Sequence, residues 1–229
     1  MEFSKFFIFI ILAIPVCIQS ANDCDLDLSF VVTACPFDGN SNFNKSVDFI
    51  KKVIDNFVIG PNRTRVSLIT ACYSSMRLDF GFNESLSYYL YDLNWYLNNM
   101  KKPKESYVQA TYLDSALNFA REVFTPGYGE RTNRSNVLVV LLDRGHDGIS
   151  YFINSAKSLH NNVTDLKVFA VGIGTDTAID NLNIIANNKS SNVFHEVDLS
   201  LNSIAKYVSF MACSGMYIFI CIWTVSEKN

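Results

Sequence analysis

Three residues of this chain have the types that thiol catalysis needs: Cys35 as a nucleophile, His146 as a base and Asp143 as a carboxylate to orient it. Each lies in a loop expected on the same face of the molecule. A cysteine works as a nucleophile only when a base lies within hydrogen-bond distance of its sulfur. The sequence has no G-x-S-x-G elbow, no P-loop and no zinc-type spacing of Cys and His. We therefore interpret the chain as non-enzymatic, with a cysteine-dependent hydrolase as the weaker alternative.

A second kind of chemistry is indicated by six N-x-S/T sequons, none of which has proline at its middle position. Asparagine in a sequon is glycosylated on accessible chain in the secretory pathway. One or two sequons would arise by chance in an Asn-rich sequence, whereas six behind an N-terminal leader favour a secreted glycoprotein. The candidate glycosylation sites are Asn44, Asn62, Asn83, Asn133, Asn162 and Asn188.

The N-terminal segment has the pattern of a secretory signal peptide. Lys5 supplies a positive charge, residues 6–16 form an apolar run, and Ser20 is a small residue suited to the cleavage position. The apolar run is too short to span a membrane. Residues 1–20 are therefore predicted to be removed, and the protein is predicted to be extracellular. The formal net charge is −3, and no basic patch suggests nucleic-acid binding.

Cysteine usage fits an oxidising compartment, where disulfides persist. One of the six cysteines, Cys17, leaves with the signal peptide. An odd number remains, so at least one thiol is free, shared with another chain, or misassigned in the gene sequence. The remaining cysteines are Cys24, Cys35, Cys72, Cys213 and Cys221.

Apolar residues alternate along the chain between strand and helix patterns. The segments 137–142 and 168–174 are continuously apolar, which is typical of strands buried on both faces. Strands are predicted at 26–32, 65–70, 76–80, 137–142, 168–174 and 193–197. Helices are predicted at 43–57, 84–100, 113–124, 152–159, 179–185 and 201–208.

This alternation predicts an α/β fold of the Rossmann-like, doubly wound type. We expect a mostly parallel central sheet with helices on both faces and one antiparallel edge strand, formed by residues 76–80. In such folds the working surface lies at the carboxyl ends of the strands, near the switch in strand order.

The ordered segments resemble those of a von Willebrand factor A (vWA) domain, and the domain is expected over residues 24–213. The segments that carry the resemblance are DLSFVV at 27–32, RVSLIT at 65–70, TYLDSAL at 111–117, VLVVLLD at 137–143 and VFAVGIG at 168–174. Each segment alone is weak evidence, and the ordered set is more specific.

The resemblance implies a cation site, but its ligand pattern is degenerate here. Family members often hold a divalent cation with Asp-x-Ser-x-Ser after the first strand, a mid-domain Thr and an Asp after the fourth strand. Thr111 and Asp143 match the last two positions, whereas the first motif falls on Thr33, Cys35 and Phe37. Magnesium prefers hard oxygen ligands, so no metal and no other cofactor is expected. We interpret Thr111 as a helix cap and Asp143 as a carboxylate paired within the cleft.

The resemblance also implies one disulfide and allows a second. Cys24 and Cys213 flank the domain, where extracellular family members often join their termini. Cys35 and Cys72 follow strands that are neighbours in the family, so a bridge across their ends is possible. The alternative is that Cys35 and Cys72 are buried, unpaired thiols.

The function implied by the resemblance is a secreted binding or cell-adhesion module for extracellular protein or matrix ligands. An alternative is a short relative or fragment of secreted proteins in which a vWA domain precedes a C-type lectin domain, with glycan recognition and immune defence. The apolar tail at 214–229 is short for a membrane span and lacks the spacer of a lipid anchor. It is left open as an anchor, a packed segment or a gene-model artefact.

Overall fold

Strands and helices alternate along the chain, as their apolar patterns predict. The computed structural model describes residues 24–33, 41–72, 75–100, 113–144 and 149–213, which excludes the predicted signal peptide and the tail. No helix in these ranges is long and apolar enough to cross a membrane. The strands are β1 (Leu26–Val32), β2 (Arg65–Cys72), β3 (Ser75–Phe80), β4 (Ser135–Leu142), β5 (Leu166–Gly172) and β6 (Val193–His195). The helices are α1 (Ser41–Ile54), α2 (Leu90–Asn99), α3 (Leu113–Val123), α4 (Ile149–Asn162), α5 (Ile179–Ile185) and α6 (Leu201–Cys213).

The strands form one sheet in the order β3-β2-β1-β4-β5-β6. All neighbours are parallel except β3, which runs antiparallel to β2 at the edge. The predicted fold class is therefore confirmed. Strands β2 and β3 are added on one side of β1, whereas β5 and β6 are added on the other side of β4. The topological switch point therefore lies between β1 and β4. We call the carboxyl ends of the parallel strands the upper edge and their amino ends the lower edge.

Helices cover both faces of the sheet because each has an apolar stripe that must leave water. Phe43, Val47, Ile50 and Ile54 give α1 such a stripe at helical spacing, and all four are buried. They pack with α2 and α6 on one face, whereas α3, α4 and α5 form the core of the other face. Burial of each large apolar side chain contributes about 1.5–3 kcal/mol. The two cores hold the sheet from both sides and fix its edges in place.

Two elements differ from their sequence-based prediction. The helix expected at 84–100 is divided into a 3-10 turn at Ser85–Ser87 and α2. The Ser87 hydroxyl donates to the Phe82 carbonyl at 3.0 Å, a local bond that competes with helix formation. The strand expected at 193–197 ends at His195, whose carbonyl accepts the Asp198 amide at 3.0 Å in a turn.

Candidate functional site at the two edges of the sheet

Thr33 and Asp143 meet at the upper edge, at the switch in strand order. They follow β1 and β4 respectively, and both are buried. The Thr33 hydroxyl lies 2.9 Å from Asp143 Oδ1 and 3.2 Å from the Leu141 carbonyl oxygen. It also accepts the Asp143 amide at 3.2 Å. A hydroxyl has one proton to give, and a carboxylate is the stronger of these two acceptors, so Thr33 satisfies one carboxylate oxygen from within the protein.

This pair does not fit the cation site that the vWA resemblance implies. The family pattern has a carboxylate where this chain has Thr33, and here the hydroxyl directs a proton at Asp143. A cation needs several oxygen ligands at fixed positions, and here a neutral hydroxyl, already bonded to the Asp143 carboxylate and amide, stands in place of the family's carboxylate. Cys35, Phe37 and Thr111 lie outside the described residues. In the described part of the chain, no group of three or more His, Cys, Asp or Glu residues could hold a metal ion.

The described residues do not assemble the proposed thiol site. Cys35 and His146 lie outside the described ranges, and Asp143 is bonded to Thr33. Cys72 is the last residue of β2 and therefore lies at the upper edge. Its bridge to Cys35 stays a prediction.

The two histidines within the described ranges have local structural partners. His160 Nε2 lies 2.9 Å from the Ile185 carbonyl and thus links α4 to the end of α5. His195 is buried in β6, and its Nδ1 accepts the Val197 amide at 3.3 Å. A β-carbon at Gly172 would lie 2.7 Å from the His195 ring, so a residue larger than glycine would displace that ring.

A second contact at the upper edge joins β5, α1 and the segment after β6. Glu196 accepts the Gly174 amide at 2.8 Å and pairs with Lys45 of α1 at 2.5 Å. Gly174 has φ +89°, and a β-carbon there would lie 2.7 Å from the side chain of Asn42. Glycine is therefore required both for the left-handed backbone and for the close approach. Sequence reasoning missed Glu196 because its partner Lys45 is 151 positions away.

The edge strand β3 carries a buried acid that sequence reasoning also missed. The Asp79 carboxylate accepts the Tyr96 hydroxyl at 2.5 Å, pairs with Arg77 at 2.5 Å and accepts the Thr70 hydroxyl. Burial, reinforced by the hydrogen bond to Asp79, raises the pKa of Tyr96. This network fixes α2 against the edge of the sheet. The period-2 pattern of 76–80 predicted the strand but not the partners of its acid.

The outer face of α2 is aromatic and open to solvent. Tyr91 is 81% exposed and Trp95 is 58% exposed. Their spacing of four residues puts them on one face of the helix, opposite the buried Leu93 and Leu97. We call Tyr91 and Trp95 the aromatic face.

At the lower edge, the structure joins the two ends of the domain. Cys24, just before β1, is disulfide-bonded to Cys213 at the end of α6, with Cα atoms 5.6 Å apart. The Thr64 hydroxyl donates to the Cys24 carbonyl at 2.8 Å. Lys167 donates to two carbonyls in the last turn of α6, each at 3.1 Å, and burial lowers the pKa of its ammonium group. The positive charge of Lys167 at the C-terminal end of α6 also interacts favourably with the helix dipole.

A buried ion pair lies at the same edge as this disulfide. The side chain of Asp27 is fully buried, and that of Arg131 is 14% exposed. Arg131 donates to Asp27 Oδ1 through Nε at 2.9 Å and Nη2 at 2.7 Å, and its amide donates to Oδ2 at 2.7 Å. Both carboxylate oxygens are thus satisfied, as a buried charge requires. The pair links the start of β1 to the segment before β4.

The six sequon asparagines are exposed, and the fold distributes them unevenly. Asn44 lies in the first turn of α1, near the upper edge. The other five lie in segments that enter or leave elements at the lower edge: Asn62 before β2, Asn83 after β3, Asn133 before β4, Asn162 at the end of α4 and Asn188 after α5.

Two curated relatives have sequences similar to this chain. It is 22% identical to von Willebrand factor of Rattus norvegicus over 162 residues, which is 70% of this chain and 34% of that protein. It is 26% identical to the collagen alpha-6(VI) chain of Homo sapiens over 126 residues, which is 55% of this chain and 5% of the collagen chain. The chain therefore spans about a third or less of these relatives.

Solved structures share the fold at low sequence identity. Proximal thread matrix protein 1 from the mussel byssus matches with a TM-score of 0.68 and 19% identity, over 83% of this chain and 48% of that one. A second structure of the mussel protein, with a zinc-occupied MIDAS motif, has a TM-score of 0.66 at 19% identity, over 83% of this chain and 49% of that one. Manganese-loaded TRAP protein of Plasmodium vivax has a TM-score of 0.67 at 12% identity, over 80% of this chain and 72% of that one.

The family model of the von Willebrand factor type A domain matches residues 27–206, from the first residues of β1 into the middle of α6. The match includes all six strands and the switch point at which Thr33 and Asp143 meet. This chain belongs to the von Willebrand factor type A domain family.

Proposed function

We propose that this chain is a secreted, non-enzymatic adhesion module that binds extracellular protein or matrix ligands without the family's usual divalent cation. Membership in the vWA family supports the binding role, and similarity to a collagen chain and a byssus matrix protein supports an extracellular setting. The observation that carries the proposal is the buried bond from the Thr33 hydroxyl to Asp143. In this bond, Asp143 Oδ1 accepts a hydrogen bond from within the protein, at the position where metal-binding relatives use the carboxylate to hold a cation.

A ligand held without a cation must be held by surface contacts of the protein itself. The aromatic face supports such a mode because Trp and Tyr contribute strongly to protein interfaces. Tyr91 and Trp95 already lie exposed on a helix that Asp79 anchors through Tyr96. Little ordering of the helix backbone would therefore be needed when a ligand binds.

We propose that Cys35 and Cys72 form a bridge at the upper edge. The bridge would fix the loop after β1 covalently, where a cation orders it in metal-binding relatives. Native Cys35 should then resist iodoacetamide, and Cys72→Ser should expose it to the reagent. Ready labelling of Cys35 in the native protein would overturn the bridge and favour the thiol-nucleophile alternative with His146 as base.

The binding test uses the full chain expressed in a secretory host. Its appearance in the medium with an N-terminus near Ala21 tests the predicted cleavage. Binding to a panel of immobilised collagens and other matrix proteins is then measured in EDTA, in magnesium and in manganese. Equal binding in all three supports the proposal, whereas binding only with a cation overturns the cation-free mode.

Surface variants separate specific binding from adsorption. Tyr91→Ala and Trp95→Ala should each weaken matrix binding about tenfold or more, the effect of losing an interface residue worth at least 1.4 kcal/mol. Phe210→Ala is the matched control, because Phe210 is an aromatic residue of α6 that is 52% exposed. Equal losses in all three variants would argue against the aromatic face as the ligand surface.

A further inference from the structure

A cleft of about 540 Å³ opens at the lower edge beside the ends of α3 and α4. Phe124 contributes an aromatic ring, Glu130 and Asp165 contribute carboxylates, and Asn133 and Asn136 contribute amides. The volume is within the range of small-molecule sites, roughly 300–1,000 Å³. A sugar ring has an apolar C–H surface and several hydroxyl groups, so it matches this mixture of aromatic and polar groups.

One wall of the cleft has an unmet hydrogen-bonding need. Asn136 is only 3% exposed, and its Nδ2 donates to the Thr164 carbonyl at 3.1 Å and to Glu130 Oε1 at 3.3 Å. Both partners are acceptors, so the orientation of the amide follows from its hydrogen bonds. Asn136 Oδ1 is buried and has no partner among the described residues. A buried acceptor without a protein partner calls for a donor from outside the chain, either a water molecule or a ligand group. Because Oδ1 is covered, a group in the cleft reaches it only when a neighbouring side chain moves aside.

Two sequon asparagines line the same cleft, and their side chains differ. Asn162 Nδ2 donates to the Ser158 carbonyl at 2.7 Å, so this amide turns back along α4. The exposed Asn133 side chain makes no hydrogen bond to any described residue. Asn133 lies three residues before Asn136, where the chain enters β4. It is therefore the better attachment point for a group that fills the cleft.

We propose that this cleft is the seat of the first N-acetylglucosamine of a glycan on Asn133, with a sugar hydroxyl or the acetamido N–H donating to Asn136 Oδ1. In that modification, the Asn133 amide nitrogen replaces the pyrophosphate at the anomeric carbon of a lipid-linked oligosaccharide. One amide proton and the lipid pyrophosphate leave. The inference rests on the secretory compartment proposed above. It assigns the cleft an occupant that belongs to the protein itself.

The test compares glycoforms of the secreted protein. Glycopeptide mass spectrometry first measures occupancy at Asn133. Trimming high-mannose glycans to a single N-acetylglucosamine should leave the melting temperature unchanged, because the seated sugar remains. Asn133→Gln should lower the melting temperature by about 2–4 °C, the shift expected for a modest loss in a domain of this size. Asn44→Gln is the control, since Asn44 is an exposed sequon residue of α1 and lies outside the cleft.

A double-mutant cycle tests the specific contact. If the sugar donates to Asn136, Asn133→Gln should have a smaller effect in an Asn136→Ala background than in the wild type. Should Asn136→Ala not fold, hydrogen exchange across residues 124–136 is compared between the wild type and Asn133→Gln. Faster exchange in the variant is expected if the sugar covers this segment. Equal melting temperatures for Asn133→Gln, Asn44→Gln and the wild type would overturn the proposal that the sugar occupies the cleft.

Occupancy separates this inference from the proposed function. If Asn133 is unmodified while other sequons carry glycans, the proposal that a sugar on Asn133 occupies the cleft is wrong, and the secreted adhesion role is unaffected. A protein retained in the cytosol without any glycan overturns both.

Discussion

At the lower edge of the sheet, a disulfide joins Cys24 to Cys213 and a buried ion pair joins Asp27 to Arg131, so this edge has both a covalent and an ionic restraint. At the upper edge, the described residues of the switch point include a neutral hydroxyl–carboxylate pair between Thr33 and Asp143. Buried charges and a closed chain end make the lower edge costly to disturb. The comparison indicates that stability depends more on the lower edge, whereas the upper edge can lose its ligand pattern without losing the fold.

The largest expected effect is at the ion pair of the lower edge. Arg131→Ala would leave the Asp27 carboxylate buried without its partner, and we expect a loss of about 3–5 kcal/mol in the free energy of unfolding. Urea unfolding measures the loss. Arg63→Ala is the matched control, because Arg63 is 53% exposed and lies 3.4 Å from Asp25. Similar losses in the two variants would show that burial gives the Asp27–Arg131 pair no special weight.

The next largest effect concerns the disulfide that closes the domain. Cys24→Ser should cost roughly 2–5 kcal/mol and reduce secretion, because the unfolded chain would no longer be closed into a loop. The double variant with Cys213→Ser should lose no more than the single one. Peptide mapping without reductant checks the bond directly, and two free thiols in the native protein would refute it.

The sequence predicts the elements of this fold better than it predicts their ends. The run at 137–142 is apolar throughout and forms most of the inner strand β4. Helices cover both faces of this strand, so apolar side chains are favoured at every position. Residues 84–100 have an apolar pattern that suits a helix, yet Ser87 bonds locally and delays α2 to Leu90. Local pattern therefore finds an element, while side-chain bonds to the backbone decide where it begins.

The polar contacts of the two edges could be predicted only in part. The family resemblance drew attention to Asp143 and Thr33, but the bond between them depends on the register of β1 against β4. Asp27 and Arg131 are 104 positions apart, and neither lies in a motif. Asp27 alternates with apolar residues as a solvent-facing residue would. Only its burial beside the arginine reveals that it is an internal ion pair.

A smaller effect is expected at the switch point. Thr33→Val keeps the shape of the side chain and removes the hydroxyl from Asp143, so we expect a loss of about 1–3 kcal/mol. Thr177→Val is the control, because the Thr177 hydroxyl donates at 3.1 Å to a neutral acceptor, the Leu142 carbonyl. Its loss should be about 0.5–1.5 kcal/mol. If Thr33→Val costs less than Thr177→Val in thermal or urea unfolding, the bond to Asp143 is not the important one.

The smallest expected effect is a melting temperature that does not change with metal. Millimolar magnesium or manganese should leave the wild type unaltered, because Thr33 donates to Asp143 and the positions of Cys35 and Phe37 supply no hard oxygen. A cation at a hundred times its dissociation constant would add about 2.7 kcal/mol, which differential scanning fluorimetry would detect. Thr33→Asp alone should remain insensitive to metal, whereas the triple variant with Cys35→Ser and Phe37→Ser should gain a saturable shift. A saturable shift already present in the wild type would show that the upper edge binds a cation despite its altered ligands, and the contrast between the edges would then have to be drawn on stability alone.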